Sequence, residues 1–265
     1  MRLISITSGS SGNCIYVGSD NTHIIVDAGI SGKRIESGLS NAGITGNDLS
    51  GILITHEHSD HINAVGVMAR RYNIPIYATL GTIDAIKCSP GTGNIDEGLF
   101  RVIKPSSDFS IGDLNIYPQG ISHDASDPVA YKIKNDNRSC GILTDLGVYN
   151  SEIVKTFSDV NAILLEANHD VNMLSVGRYP YPLKRRILGE KGHLSNETAG
   201  KLLCELMHDN LHTVMLGHLS AENNLPELAY EAVRLEILMG CDKYKPSDIN
   251  LKVASRSECM EPVIV

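Results

Sequence analysis

The segment Thr55-His56-Glu57-His58-Ser59-Asp60-His61 sets three imidazoles and an aspartate within six residues. It follows Gly51-Ile52-Leu53-Ile54-Thr55, an apolar run that reads as a buried strand. Side chains at i and i+2 of an extended segment point the same way, so His56 and His58 reach one ion. Asp60 and His61, at the turn into the next helix, are displaced toward a neighbouring one. Imidazole and carboxylate without thiolate suit Zn²⁺, Mn²⁺ or Fe and do not choose among them.

Further donors close later apolar runs, where open α/β sheets place their sites. Ile121-Ser122-His123, Leu143-Thr144-Asp145 and Leu216-Gly217-His218 each end a strand-like stretch on a ligand-type residue. The seven donors divide into His56, His58 and His123 for one ion and Asp60, His61 and His218 for the other, with the two oxygens of Asp145 bridging. Two such ions lower the pKa of a bridging water, aim the hydroxide for in-line attack and offset charge on phosphoryl oxygens. A phosphodiester is the substrate that most needs this help, because its leaving oxygen must be stabilised as it departs. Asp60 counts as a catalytic candidate as well as a ligand.

Two more histidines are catalytic candidates. His193 stands just before Ser195 and Asn196 at an expected helix start, where it would bind phosphate or protonate the leaving oxygen. His169, beyond Leu165-Glu166, is a candidate on the same argument. The stretch Arg178 to Lys191 carries five basic residues against one acid, with Tyr179 and Tyr181 interleaved. DNA is expected to lie there, bases stacking on tyrosine while Lys184, Arg185 and Arg186 meet phosphates.

The elements that position these groups alternate along the chain. Leu3 to Ile6, Cys14 to Val17 and Thr22 to Val26 read as strands of a meander. A helix over Lys33 to Ala42, the strand Gly51 to Thr55 and a helix over Ile62 to Tyr72, closed before Ile74-Pro75, come next. A second β cluster follows at Phe100 to Ile103, Phe109 to Ile111, Leu114 to Tyr117, Val129 to Ile133 and Ser139 to Leu143. Glu152 to Phe157, Ala162 to Leu165, Glu197 to His208, Thr213 to Leu216 and Pro226 to Met239 read helix, strand, helix, strand, helix, with Ser195 an N-cap. Two strand clusters, each followed by helices, point to an α/β fold of αββα type, with two mixed β-sheets face to face and helices outside.

The 265 residues, 42% hydrophobic and 20% charged, fit an ordinary globular chain and exclude a disordered or collagen-like one. No linker divides them, so 1–265 reads as a single domain. No apolar stretch approaches a membrane span, and Met1 to Ser5 is too short to open a secretory signal, so a cytoplasmic protein without membrane contact is expected. The six cysteines form no C-x-x-C pair and read as reduced thiols. A net charge of −8 argues against gripping nucleic acid by the overall field, so a polyanion must be held locally.

The motif His56 to His61, followed by His123, Asp145 and His218, resembles the H-x-H-x-D-H pattern and later motifs of the metallo-β-lactamase superfamily. Asp27, in Val26-Asp27-Ala28-Gly29, matches that family's first aspartate, which supports the histidine loop from behind. The resemblance is closer to the YycJ/WalJ group of bacterial exonucleases through Ser8 to Cys14, Asn168-His169-Asp170, Gly192 to Asn196 and Gly217 to Asn224. It implies a metallo-β-lactamase-like four-layer sandwich and a dinuclear site, often manganese-loaded; the 72 residues between Asp145 and His218 leave no room for a large inserted domain. It also implies 5′→3′ DNA exonuclease activity associated with mismatch repair and its repair proteins. It makes Ser10, Ser11, Asn13, Ser195, Asn196 and Asn223 substrate contacts beside Lys184 and Arg185. Two other readings keep the metal ligands: a hydrolase of a small thioester, lactone or cyclic phosphodiester, and a metal-stabilised interaction protein without turnover. The sequence leaves monomer or homodimer open.

Overall fold

Residues 14–18 and 162–166 are buried along their whole length, so their strands have no wet face and need cover on both sides. The computed structural model describes residues 1–265 and supplies that cover with two seven-stranded sheets. The first sheet contains β1 (Arg2–Thr7), β2 (Cys14–Gly18), β3 (His23–Val26), β4 (Leu49–Leu53), β5 (Ile76–Thr79), β6 (Phe100–Ile103) and β14 (Val263–Ile264). Its order is β14-β1-β2-β3-β4-β5-β6. The second contains β7 (Phe109–Ile111), β8 (Leu114–Gly120), β9 (Val129–Asn135), β10 (Arg138–Leu143), β11 (Ala162–Glu166), β12 (Thr213–Gly217) and β13 (Asn250–Val253), in the order β13-β12-β11-β10-β9-β8-β7.

Alternate residues of these strands face opposite ways, and the apolar pattern uses both directions. Leu3, Val17, Val26 and Leu53 of the first sheet meet Ile116, Tyr131, Ile142 and Leu164 of the second in one shared core. On the far side of the first sheet, Ile4, Tyr16 and Ile52 pack with Ile35 and Leu39 of α1 (Gly32–Asn41) and Met68 of α3 (Val65–Tyr72). On the far side of the second, Ile163, Leu165 and Val214 pack with α8 (Asn196–Leu206) and α9 (Pro226–Gly240). Each fully buried aliphatic side chain contributes about 1.5–3 kcal/mol. The αββα layering expected from the sequence is therefore present, with helices outside both sheets.

The differences have local causes. In the first sheet the meander stops at β3, and β3, β4, β5 and β6 pair in parallel because helices carry the chain back across the sheet between them; in the second, β7 to β10 form another meander. Ile74-Pro75 read as a stop, yet β5 starts one residue later and leads into α4 (Leu80–Cys88). The single expected helix over 62–72 is two, α2 (Ser59–Ile62) and α3. The break follows from tertiary bonds: Ala28 N donates to His61 O and Ala64 N donates to Ala28 O, each at 2.8 Å. The remaining helices are α5 (Ser151–Phe157), α6 (Val171–Val176) and α7 (Tyr181–Ile187). No helix is long and apolar enough to cross a membrane.

Candidate metal centre

The parallel strands β4, β10, β11 and β12 deliver their carboxyl ends to one region, and the candidate donors lie just past those ends. Three residues there adopt left-handed backbone although none is glycine: Asp27 (φ 61°) after β3, Asp145 (φ 60°) after β10 and His218 (φ 54°) after β12. That conformation is uncommon for such side chains, and it turns each one off its strand into the cleft.

Glycine serves the same purpose once. A Cβ on Gly29 would sit 1.6 Å from Asp60 O, so only glycine lets the β3–α1 connection lie against the histidine loop. Asn13 N donates to Asp60 O and Gly29 N to Asn13 O, each at 2.8 Å, locking the two loops together.

Within the loop, Asp27 acts as a buried brace. Its Oδ2 accepts from His61 Nδ1 at 2.7 Å, and its Oδ1 accepts from Thr55 N at 2.8 Å. His61 is thereby held with Nε2 facing the cleft, 3.5 Å from Asp60 Oδ2 and 3.3 Å from Asp145 Oδ2. His218 Nε2 lies 3.3 Å from Asp145 Oδ1, and His123 Nε2 lies 3.8 Å from the same oxygen. His123 Nε2 is also 3.3 Å from His58 Nδ1.

The ligand atoms of His56, His58 and His123 fall within 4.8 Å of one another, as do those of Asp60, His61 and His218. A third such set, His56, His61 and Asp145, links the two. His56 Nε2 and Asp145 Oδ2 are buried without a hydrogen-bond partner. Buried polar atoms are ordinarily paired. Unpaired donor atoms set into so crowded a group fit a shared cation, whose ligands each stand about 2.0–2.2 Å from it.

The electrostatics agree. Burial opposes a charge on His61, but Asp145, Asp27 and Asp60 outweigh it and hold its pKa well above the ordinary value. His56 is pushed well below its usual range, first by burial and then by His61 beside it. Burial would raise Asp145, but His218, His61, His56 and His193 hold its carboxyl well below the usual range. Closely set carboxylates favour positive charge in this cleft.

A cavity of about 350 Å³ opens over the donors, lined among others by Ser10, Asp60, Asp145, Arg186, His193 and His218. A larger one, about 430 Å³, lies on the outer face of the second sheet around Tyr117, Lys132 and Lys155, away from every donor. His193 Nδ1 bonds Glu166 Oε1 at 2.7 Å, and Oε2 of the same carboxylate accepts from Leu146 N at 2.8 Å. Burial would lower the pKa of His193, but Glu166 and then Asp145 bring it up to about 9. Nδ1 is thus committed to Glu166 while the ring lines the cavity.

Several expected contacts lie elsewhere. His169 is 1% exposed and does not line the cavity; both its ring nitrogens are buried and unpaired. Asn13 is turned inward, its side chain bonded to Gly9 N at 2.9 Å and to His61 Nε2 at 3.0 Å. Asn196 is fully buried and exchanges amide bonds with Asn224, while Ser195 caps α8 by accepting from Thr198 N. Asn223 is 1% exposed and Ser11, though exposed, is not at the cavity. Lys184 donates to Ser175 O at 2.7 Å, and Arg185 lies over the Tyr181 ring; of the basic cluster only Arg186 reaches the cavity, with Tyr179 beside it.

Sequence reasoning did not single out Glu166 or Asp124. Glu166 carries a signal, as the sole acid in the fully buried Ala-Ile-Leu-Leu-Glu strand. Asp124 carries none beyond standing next to His123.

Residues 7–87 match the metallo-beta-lactamase superfamily. The chain is 41% identical over 228 residues to the exodeoxyribonuclease YycJ of Bacillus anthracis, covering 86% of each chain. It is 40% identical over 225 residues to the exodeoxyribonuclease WalJ of Streptococcus pneumoniae, covering 85% of this chain and 84% of that one. Among solved structures, Zn²⁺-bound PqqB from Methylobacterium extorquens superposes with a TM-score of 0.72 at 14% identity, over 98% of this chain and all of that one. The short form of human tRNase Z does so with a TM-score of 0.66 at 14% identity, over the full length of both. At such identities these two structures speak for the fold alone.

Proposed function

The chain belongs to the metallo-β-lactamase superfamily and, within it, to the family of the YycJ and WalJ exodeoxyribonucleases, and on that footing we propose that it is a two-metal 5′→3′ DNA exonuclease of the mismatch-repair type. The observation that carries this reading is the convergence of seven donors from both sheets, with His56 Nε2 and Asp145 Oδ2 buried and unpaired among them. His56, His58 and His123 would hold one ion and Asp60, His61 and His218 the other, with Asp145 between the two sets. The donors are nitrogen and oxygen only, which suits Mn²⁺, Zn²⁺ or Fe.

Divalent cations bound there supply positive charge against the phosphoryl oxygens and activate a water as nucleophile. The protein's own groups do the rest. Asp27 fixes His61 through Nδ1, so that Nε2 is the donor atom. Glu166 orients His193 through Nδ1, which leaves Nε2–H to protonate the departing 3′-oxygen. Ser10 and Tyr179 border the same cavity, within reach of the strand.

The test supplies Mn²⁺ or Zn²⁺ with linear and circular DNA, the linear ends 5′-phosphorylated or 5′-hydroxyl, and compares the wild type with Asp145→Ala. Mononucleotides released in order from the 5′ end, lost in the variant, are expected. Circles degraded as fast as linear molecules would overturn the exonuclease assignment.

A further inference from the structure

Arg186, on α7, and Asp124, after His123, form a two-pronged pair at the rim of the cavity. Nε of the arginine donates to one carboxylate oxygen and Nη2 to the other, the latter at 3.0 Å. Asp124 Oδ1 is 3.5 Å from His123 Nε2. The guanidinium thus stands one side chain out from the donor cluster, inside the cavity lining. Both partners are partly open to solvent, with side chains 49% and 30% exposed. An ion pair so exposed contributes little net stability, which makes it a poor brace. A guanidinium fork engages two oxygens of a phosphate in the same geometry as two oxygens of a carboxylate.

We propose that Arg186 reads the phosphate adjoining the one that is hydrolysed, and that Asp124 fills its fork while no strand is bound. The inference rests on the nuclease reading and adds a specificity-determining residue to it. Lys184 and Arg185, turned away toward Ser175 and Tyr181, leave Arg186 as the basic side chain of its helix at the cavity. An incoming phosphate displaces the Asp124 carboxylate, and the arginine changes partner without changing charge.

The experiment measures binding of 3′-fluorescein-labelled single strands, 5′-phosphorylated or 5′-hydroxyl, by anisotropy over a range of salt, in chelator so that nothing is cut. The same strands are then used for kcat and KM with Mn²⁺ present. Arg186→Gln should bind tenfold or more weaker, flatten the slope of log K against log salt by about 0.7, and raise KM more than it lowers kcat. Arg186→Lys should keep the slope and lose part of the affinity. Asp124→Asn should bind threefold or more tighter, because the fork is released. A loss confined to 5′-phosphorylated strands identifies the phosphate as a terminal monoester; an equal loss on both identifies an internal diester. Wild-type binding by Arg186→Gln, or weakening by Asp124→Asn as deep as that of Arg186→Gln, would overturn the proposal. A wild type without metal-dependent hydrolysis would instead overturn the nuclease reading, while the binding comparison still decides the role of Arg186.

Discussion

Glu166 Oε1 and His193 Nδ1 meet at 2.7 Å, and the carboxylate is fully buried while the imidazole opens on the cavity. One oxygen thus orients the ring, and the other ties the start of the loop after Asp145 through Leu146 N. On the proposed mechanism the pair would act as a unit, Glu166 fixing the ring and His193 supplying the proton to the leaving oxygen.

His193→Ala and Glu166→Gln should therefore each lower kcat by about 10²-fold or more, the scale of a positioned general acid, with smaller changes in KM. The double variant should fall little further than either single one. Steady-state kinetics on one oligonucleotide check this, with metal content measured in parallel. Full additivity of the two losses would separate the residues.

Removal of metal should lower thermal stability, because the ions bind a site assembled only in the folded chain. At a free concentration about 100 times Kd the gain is about 2.7 kcal/mol per site. Chelation should lower Tm and reloading restore it, whereas His61→Ala and Asp145→Ala should show a smaller shift and substoichiometric uptake by elemental analysis.

Gly29→Ala should destabilise the fold by about 3 kcal/mol or more, since the added methyl meets a backbone carbonyl that cannot move without the histidine loop. Gly91→Ala is the control, because a Cβ there finds only Ser89 Oγ at 4.0 Å. It should stay within about 0.5 kcal/mol of the wild type in urea titrations.

Burial lowers the pKa of His169 from 6.5 to about 4, with Glu166 opposing. Between those values the unfolded chain binds the proton and the folded one does not. Stability from this residue is therefore intact above pH 6.5 and falls as pH drops toward 4, by about 2–3 kcal/mol at pH 4.5. In metal-free protein, His169→Gln should lose stability less steeply than the wild type between pH 7.5 and pH 4.5, as read from urea midpoints. Parallel curves would sink the assignment.

The sequence exposes the site where its geometry is local. His56 and His58 share a side because a strand has a period of two, and His123, Asp145 and His218 stand out because each closes a strand-like run on a ligand-type residue. Asp27 is legible only by its resemblance to a known motif, since its partner His61 lies on another strand's loop. Arg186 and Asp124 meet across a helix and a loop, and the seven residues of α7 have too little apolar pattern to fix which of three basic neighbours turns inward. Asn13, Ser195 and Asn196 show a further limit: a polar side chain paired within the fold reads like one that awaits a ligand.

The donor set draws on segments from His56 to His218, so both sheets must be in place before it exists. On the ribosome, at about 5–20 residues per second, His218 follows His61 by roughly eight to thirty seconds. During that interval the early histidines are exposed on an incomplete polypeptide and hold no complete pair of sites. The donor set is thus completed only once synthesis has passed His218, and a product that stops short of it lacks part of the set.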